Sequence, residues 1–595
     1  MVAVLLYHGD QRWIPGGFLG VDVFFVISGY LITCLLLSDW REHGHIQMAR
    51  FWIRRARRLL PALFTMLGMV SLYALLFLRD DVAKLRGEVV AAVFYVENWF
   101  LIFRNQSYFE STGRPSLLQH VWSLAVEEQF YLLWPLLLAG GLALWGTKRH
   151  RLLFAIFAAA ALSTVLMAVL YVPYSDPSRV YYGSDTRANA LLIGAALAFV
   201  WAPWRLMTRT GKGAPLVIDV VGAAALAALC WFFLNIGEFE PALYRGGFLV
   251  VSLVSALAIA AVVHPASRVL PFVLGTSLFR WIGVRSYGIY LWHWPVYMVT
   301  RPHFDVPLTG IPLLVLRVAI TLMLAELSFR YVEEPIRHGA ISRKVAALRR
   351  SRGEPRRRMA TGFVLSGAAI TLGVLVIAAG LIGAEPGRPP RGQQVEAAVL
   401  ITPSTTTTLP GSVEAPATSM ATTAPPAAPV TQPPVPPTPA PVVGRVTAIG
   451  DSVMLGAANA LQARLGDGLW LDAKQNRQFP EGVATIRSLL DSGQLGSVVV
   501  VQLGTNGTVD PGAFDEMMQV LSPVHRVVVI NAKVPRPWEA QVNGTLGEGI
   551  KQYRNAVLLD WHTIGGAHPE YFWDDAIHLR PEGAAAYAEF VASSL

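Results

Sequence analysis

The sequence predicts two folds in one chain: a polytopic α-helical membrane domain of about eleven spans, then an extracytoplasmic α/β/α domain with a parallel sheet. Apolar blocks of spanning length recur as far as residue 381 and none follows. Short β-branched runs separated by helical stretches occur only after residue 445. Between the two lies a stretch rich in Pro, Thr, Ala and Ser, which cannot bury a core.

Composition excludes simpler readings. At 53% hydrophobic residues the chain is too apolar for an ordinary soluble protein. The net charge of +9 comes from basic residues clustered between apolar segments, so it marks membrane orientation and not a nucleic-acid partner. The two cysteines, Cys34 and Cys230, sit inside apolar runs. Neither a disulfide framework nor a metal site is expected. No basic region and cleavage site mark a removable signal peptide.

In order, the apolar segments are 1–7, 18–37, 59–78, 89–103, 121–145, 152–171, 188–201, 216–234, 248–263, 287–299, 311–332 and 362–382. The first is too short to span and reads as a truncated helix. Arg-rich loops occur at 54–58, 148–151, 205–212, 280–285 and 337–358. Keeping all five on the cytoplasmic side requires one segment between 59 and 145 not to cross. Segment 89–103 is short and interrupted by Glu97 and Asn98, so it is expected to be re-entrant or interfacial. That choice puts the C-terminal domain outside. The expected boundaries are 1–338 for the main membrane domain, 339–361 for a basic cytoplasmic loop, 362–384 for a last transmembrane helix, 385–443 for the tether and 444–595 for the outer domain.

Ionisable residues inside hydrocarbon are functional candidates because burying charge there is expensive. Asp22 lies in the second segment close behind His8. Glu127 and Glu128 enter a span side by side, and adjacent helical residues point about 100° apart, so at least one faces protein or a cavity. His120 precedes them, and His293 lies in Tyr290-Leu291-Trp292-His293-Trp294-Pro295. A bland reading stands beside each: Arg54, Arg55, Arg57 and Arg58 suit a positive-inside anchor, and His293 an aromatic belt.

The blocks Tyr7-His8, Gly20-Val21-Asp22-Val23-Phe24-Phe25-Val26-Ile27-Ser28-Gly29-Tyr30, Trp122-Ser123-Leu124-Ala125-Val126-Glu127-Glu128-Gln129-Phe130-Tyr131 and Tyr290-Leu291-Trp292-His293, with the arginines before Pro61, resemble the acyltransferase-3 family of membrane O-acyltransferases. The resemblance implies transfer of an acyl group, usually acetyl from cytoplasmic acetyl-CoA, to a sugar hydroxyl outside. It makes His8 the family's essential histidine, while the family's usual arginine on the same helix would lie before Met1. Arg54, Arg55, Arg57 and Arg58 then pair with the phosphates of acyl-CoA. His8, oriented by Asp22 or Glu127, acts as base or transient acyl carrier.

In the last domain, Val446-Thr447-Ala448-Ile449, Val498-Val499-Val500-Val501, Val527-Val528-Val529-Ile530 and Val557-Leu558-Leu559 read as parallel strands, whose carboxyl ends collect reactive groups. Gly450-Asp451-Ser452, Gly504-Thr505-Asn506 and Asp575-Ala576-Ile577-His578 resemble the blocks of the SGNH hydrolase and transferase family. By that resemblance Ser452 is the nucleophile, His578 its base and Asp575 the partner that orients the imidazole. The Ser452 N–H and the Asn506 side chain hold the oxyanion, with Asn476 where the family has glycine.

Together these imply a bacterial plasma-membrane O-acyltransferase that resembles cell-envelope polysaccharide or peptidoglycan O-acetyltransferases. Its partners are the bilayer, acyl-CoA and an extracytoplasmic glycan or glycolipid. Two alternatives stay open: the outer domain acts as an esterase, or the membrane half is an ion-coupled transporter.

Overall fold

The computed structural model describes residues 1–9, 13–104, 106–108, 114–146, 148–173, 176–206, 213–302, 305–384, 398–401, 442–536, 538–573 and 576–595. The chain forms two compact units, Met1–Arg388 and Pro389–Leu595.

The first unit is helical. Among the described residues, eight helices are long and apolar enough to cross a membrane: Gly17–His43, Met48–Phe77, Arg149–Leu170, Ser184–Arg205, Ala214–Asn235, Leu243–Val263, Gly310–Arg337 and Gly353–Gly383. The helices Val121–Trp145 and Ser277–Met298, of 25 and 22 residues, have spanning length but carry candidate-site residues that lower their hydropathy. Segment 89–103 is broken. Val82–Val93 ends, Tyr95 takes a left-handed φ of 54°, and Glu97–Phe103 begins. At 12 and 7 residues, neither piece crosses a hydrocarbon core of about 30 Å.

Small residues set how closely these helices approach. A Cβ on Gly29 would lie 1.9 Å from the Leu191 carbonyl oxygen, and one on Gly194 2.1 Å from that of Val26. The helices Gly20–His43 and Ser184–Val200 therefore touch backbone to backbone. Asp22 meets Arg187 and Gly29 meets Leu191, so the contacts advance together and the two helices run parallel. The same holds against Val121–Trp145, where Phe25 meets Trp122 and Thr33 accepts from the Trp134 indole at 2.8 Å.

The second unit is a three-layer α/β/α domain. Its sheet has the order β1-β3-β2-β4-β5-β6, with β1 Ala398–Ile401, β2 Val442–Gly450, β3 Leu469–Lys474, β4 Gly496–Gln502, β5 Arg526–Ile530 and β6 Ala556–Leu559. Val499, Val500, Val501 and residues Val527 to Ile530 are buried, as expected of strands covered on both faces. Helix Ala458–Leu465 packs on Pro581–Ala592, while Phe479–Asp491, Pro511–Val520 and Glu539–Gly549 pack in series. The expectation of a purely parallel sheet needs correction. β1 pairs antiparallel with β3, giving a mixed sheet. This edge strand comes from inside the stretch expected as tether, where Ala398-Val399-Leu400-Ile401 is a short apolar island that the open edge of β3 can pair.

Candidate active sites

In the membrane unit, three histidines converge. Helix Val2–His8 ends on His8, whose Nε2 lies 2.8 Å from the Tyr108 hydroxyl and whose Nδ1 lies 3.1 Å from His293 Nε2. The Trp294 indole packs edge-on against His8 at 4.9 Å between ring centres. His120 stands 5.6 Å from the His293 ring and donates from Nε2 to the Leu291 carbonyl at 3.1 Å. That carbonyl is free for a reason written in the sequence. Its helical partner four residues on is Pro295, which has no N–H.

His120, Ser123, Glu127 and Tyr131 fall at three- and four-residue steps and so share one face of the Val121–Trp145 helix and its cap. The Tyr290 hydroxyl donates to the His120 carbonyl at 2.8 Å and accepts from Ser123 at 2.6 Å. Two turns on, Tyr131 donates to Glu127 and contacts Ser28, while Arg55 lies over the Tyr131 ring and 3.8 Å from Glu128. The histidines and Arg55 thus sit at different levels, about 12 Å apart along the helix that joins them.

The structure divides the arginine group. Arg54, Arg57 and Arg58 are exposed at the start of Met48–Phe77, whereas Arg55 turns inward to Glu128. It also corrects the expected support of His8. Asp22 is fully buried and forms an ion pair with Arg187 at 2.8 Å, and Glu127 bonds Tyr131. His8 leans on His293 and Tyr108 instead. A carboxylate buried this deeply is held by a countercharge, and Arg187 is available because Asp185 pairs with Arg179. Tyr108 went unread because it belongs to no motif.

In the second unit, Ser452 opens the helix Ser452–Gly456 directly after β2. Its hydroxyl is buried and has no hydrogen-bond partner among the described residues. Gly450 is required at the strand end, since a Cβ there would lie 2.3 Å from that of Met454. Asp451 ties two loops together, accepting from the Val453 and Thr505 amides at 3.1 Å each. Burial pushes its carboxyl up to about 6, against the opposing pull of those bonds and of nearby His578.

Asn476 has φ 58°, the left-handed conformation that glycine adopts freely and asparagine tolerates better than other residues. This accounts for asparagine at a position where the resembled family has glycine. The next residue, Arg477, donates to the Gly450 and Asp472 carbonyls and to the Asp472 carboxylate. Gln478 donates to the Asn506 carbonyl at 2.8 Å, and Asn506 Nδ2 donates to the Arg477 carbonyl at 3.3 Å. The loops of Ser452, Asn476 and Asn506 are thereby locked together at the carboxyl ends of β2, β3 and β4. His578 is half-buried, in a turn closed by the Trp573 amide donating to its carbonyl. Asp575 lies outside the described residues.

A family model described as an acyltransferase domain, that of the acyltransferase-3 family, matches residues 1–326. The chain is 35% identical over 621 residues to the peptidoglycan O-acetyltransferase OatA of Listeria monocytogenes, covering 100% of this chain and 96% of that protein. It is 31% identical over 596 residues to the O-acetyltransferase OatA of Staphylococcus aureus, covering 100% and 94%. Among solved structures, the C-terminal catalytic domain of Streptococcus pneumoniae peptidoglycan O-acetyltransferase A aligns at 21% identity and TM-score 0.23, over 26% of this chain and 93% of that one. The family model alone spans more than half of the chain, and the relatives align from end to end: this chain belongs to the acyltransferase-3 family.

Proposed function

We propose that this chain O-acetylates peptidoglycan outside the plasma membrane of a bacterium, with cytoplasmic acetyl-CoA as donor. The observation that carries the reading is the Ser452 hydroxyl, buried with no hydrogen-bond partner among the described residues and flanked by the interlocked Asn476 and Asn506 loops. End-to-end similarity to proteins named peptidoglycan O-acetyltransferase supports the acceptor class.

At the cytoplasmic side, the exposed Arg54, Arg57 and Arg58 pair with the phosphates of CoA. In the membrane unit a carrier hydroxyl gives its proton to His8 while its oxygen bonds the thioester carbon. The C–S bond breaks, and the CoA sulfur takes that proton from His8 and leaves as the thiol. The acyl group then passes to Ser452. The Ser452 oxygen bonds the acyl carbon while its proton moves to His578, for which Asp575 is the partner by the family resemblance. The acyl bond to the carrier oxygen breaks and His578 returns the proton to that oxygen. The tetrahedral oxyanion is met by the Ser452 N–H, the Asn476 backbone and the second N–H of the Asn506 amide. A glycan hydroxyl then attacks the acyl carbon and its proton passes to His578. The acyl–Ser452 bond breaks, His578 returns the proton to the Ser452 oxygen, and the glycan leaves as the acetyl ester.

The outer placement of the second unit follows from eleven crossings with 89–103 not spanning. The parallel packing of Gly20–His43 on both Val121–Trp145 and Ser184–Val200 supports this count. An added crossing at 89–103 makes both pairs antiparallel.

The test is mass spectrometry of muropeptides from cells carrying wild-type or Ser452→Ala protein. Loss of O-acetyl groups with Ser452→Ala is expected, and unchanged acetylation overturns the reading.

A further inference from the structure

We propose that His293 is a positioning residue that fixes the tautomer of His8, so that the lone pair of His8 lies on Nε2 and faces the Tyr108 hydroxyl. The inference rests on the reading of His8 as a base. Its starting point is a backbone carbonyl, which only accepts.

His293 Nδ1 lies 2.6 Å from the Tyr290 carbonyl oxygen, so that nitrogen carries the hydrogen. In a neutral imidazole the other nitrogen is then an acceptor. His293 Nε2 faces His8 Nδ1 at 3.1 Å, so His8 Nδ1 must donate. The reverse choice sets two lone pairs against each other where His293 is wholly buried. One position on His8 remains. Its Nε2 holds the lone pair, and the Tyr108 O–H donates to it at 2.8 Å.

The third histidine fits the same scheme without competing for His8. His120 donates from Nε2 to the Leu291 carbonyl, one residue beyond the carbonyl that orients His293. Two successive carbonyls of one helix thus set two imidazoles, and the second passes its direction to His8. When His8 Nε2 takes a proton from a hydroxyl, Nδ1–H stays bonded to His293 Nε2. The cation forms with its second N–H already satisfied.

The role predicts a difference between two substitutions of similar bulk. In His293→Gln the amide oxygen still accepts from His8 Nδ1–H. In His293→Leu nothing does. Full-length protein in lipid nanodiscs, labelled with ¹⁵N-histidine, gives the tautomer of His8 after subtraction of a His8→Ala spectrum. Wild type and His293→Gln should show His8 protonated at Nδ1, and His293→Leu should lose that signature. Acetyl transfer from acetyl-CoA should fall in kcat by roughly 10²-fold or more in His293→Leu, with the donor KM little changed, and by under about tenfold in His293→Gln. An Nδ1–H signature that persists in His293→Leu, or equal losses in the two variants, overturns the role. Full activity of His8→Ala overturns instead the reading of His8 as a base, and leaves the tautomer result to stand or fall by itself.

Discussion

Asp22 and Arg187 meet at 2.8 Å with both side chains almost wholly removed from solvent. Removing one partner leaves a buried charge unpaired, which costs about 3–5 kcal/mol, whereas replacing both with apolar residues is often neutral. Asp22→Asn alone should therefore lower unfolding stability in detergent by that amount, and Asp22→Leu with Arg187→Met should recover most of it. The recovered double variant should also transfer acetyl groups. A stable but inactive double variant makes Asp22 part of the chemistry.

The Asp451 carboxyl is raised by burial to about 6 from an ordinary 3.8. The folded state binds the proton more tightly than the unfolded state, so stability from this group is present below pH 3.8 and is lost as pH rises through 6. The loss amounts to about 3 kcal/mol. Thermal unfolding between pH 4 and pH 7 should show this downward slope in wild type, and Asp451→Asn should flatten it. Equal slopes in the two proteins contradict the assignment.

The left-handed Asn476 makes a separate forecast. Asn476→Gly relieves the residual strain and should keep both stability and transfer. Asn476→Ala should cost about 1 kcal/mol in unfolding stability. Asn506→Ala removes the bond to the Arg477 carbonyl and should cost about 1 kcal/mol in stability, yet reduce kcat by roughly 10²- to 10³-fold, as expected of a lost oxyanion donor.

Of the four arginines before Pro61, Arg54, Arg57 and Arg58 are exposed and can meet a soluble anion, whereas Arg55 faces Glu128. Replacing any of them with Gln should raise the KM for acetyl-CoA, by roughly tenfold for a lost charge-assisted bond of about 1.5 kcal/mol. Arg55→Gln should lower stability instead, because it strands Glu128. Steady-state kinetics beside thermal unfolding separates the two effects.

What could be read from sequence was what is local. The Val-rich strands, the break near Glu97 and the loops after β2 and β4 all announce themselves within a few residues. β1 did not, since four apolar residues inside a Pro- and Thr-rich stretch carry no periodicity. Nor did the pairing of His8 with His293, which are 285 residues apart in the chain. Asp22 was legible as a buried acid but not its partner, because Arg187 reaches it only through the packing of two helices far apart in the chain.

Pro295 joins local sequence to the distant contact. A proline inside a helix normally costs about 3 kcal/mol relative to alanine, so Pro295→Ala should strengthen the Ser277–Met298 helix. The new N–H at position 295 will bond the Leu291 carbonyl and take it from His120. His120 then loses its acceptor, and its ring is free to turn against His293. Thermal stability should hold or rise while acetyl transfer falls by roughly tenfold or more. Gain of stability with no loss of transfer would show that the opened carbonyl serves only to accommodate the proline; the opposite movement of the two measurements ties the missing backbone bond to the histidine cluster.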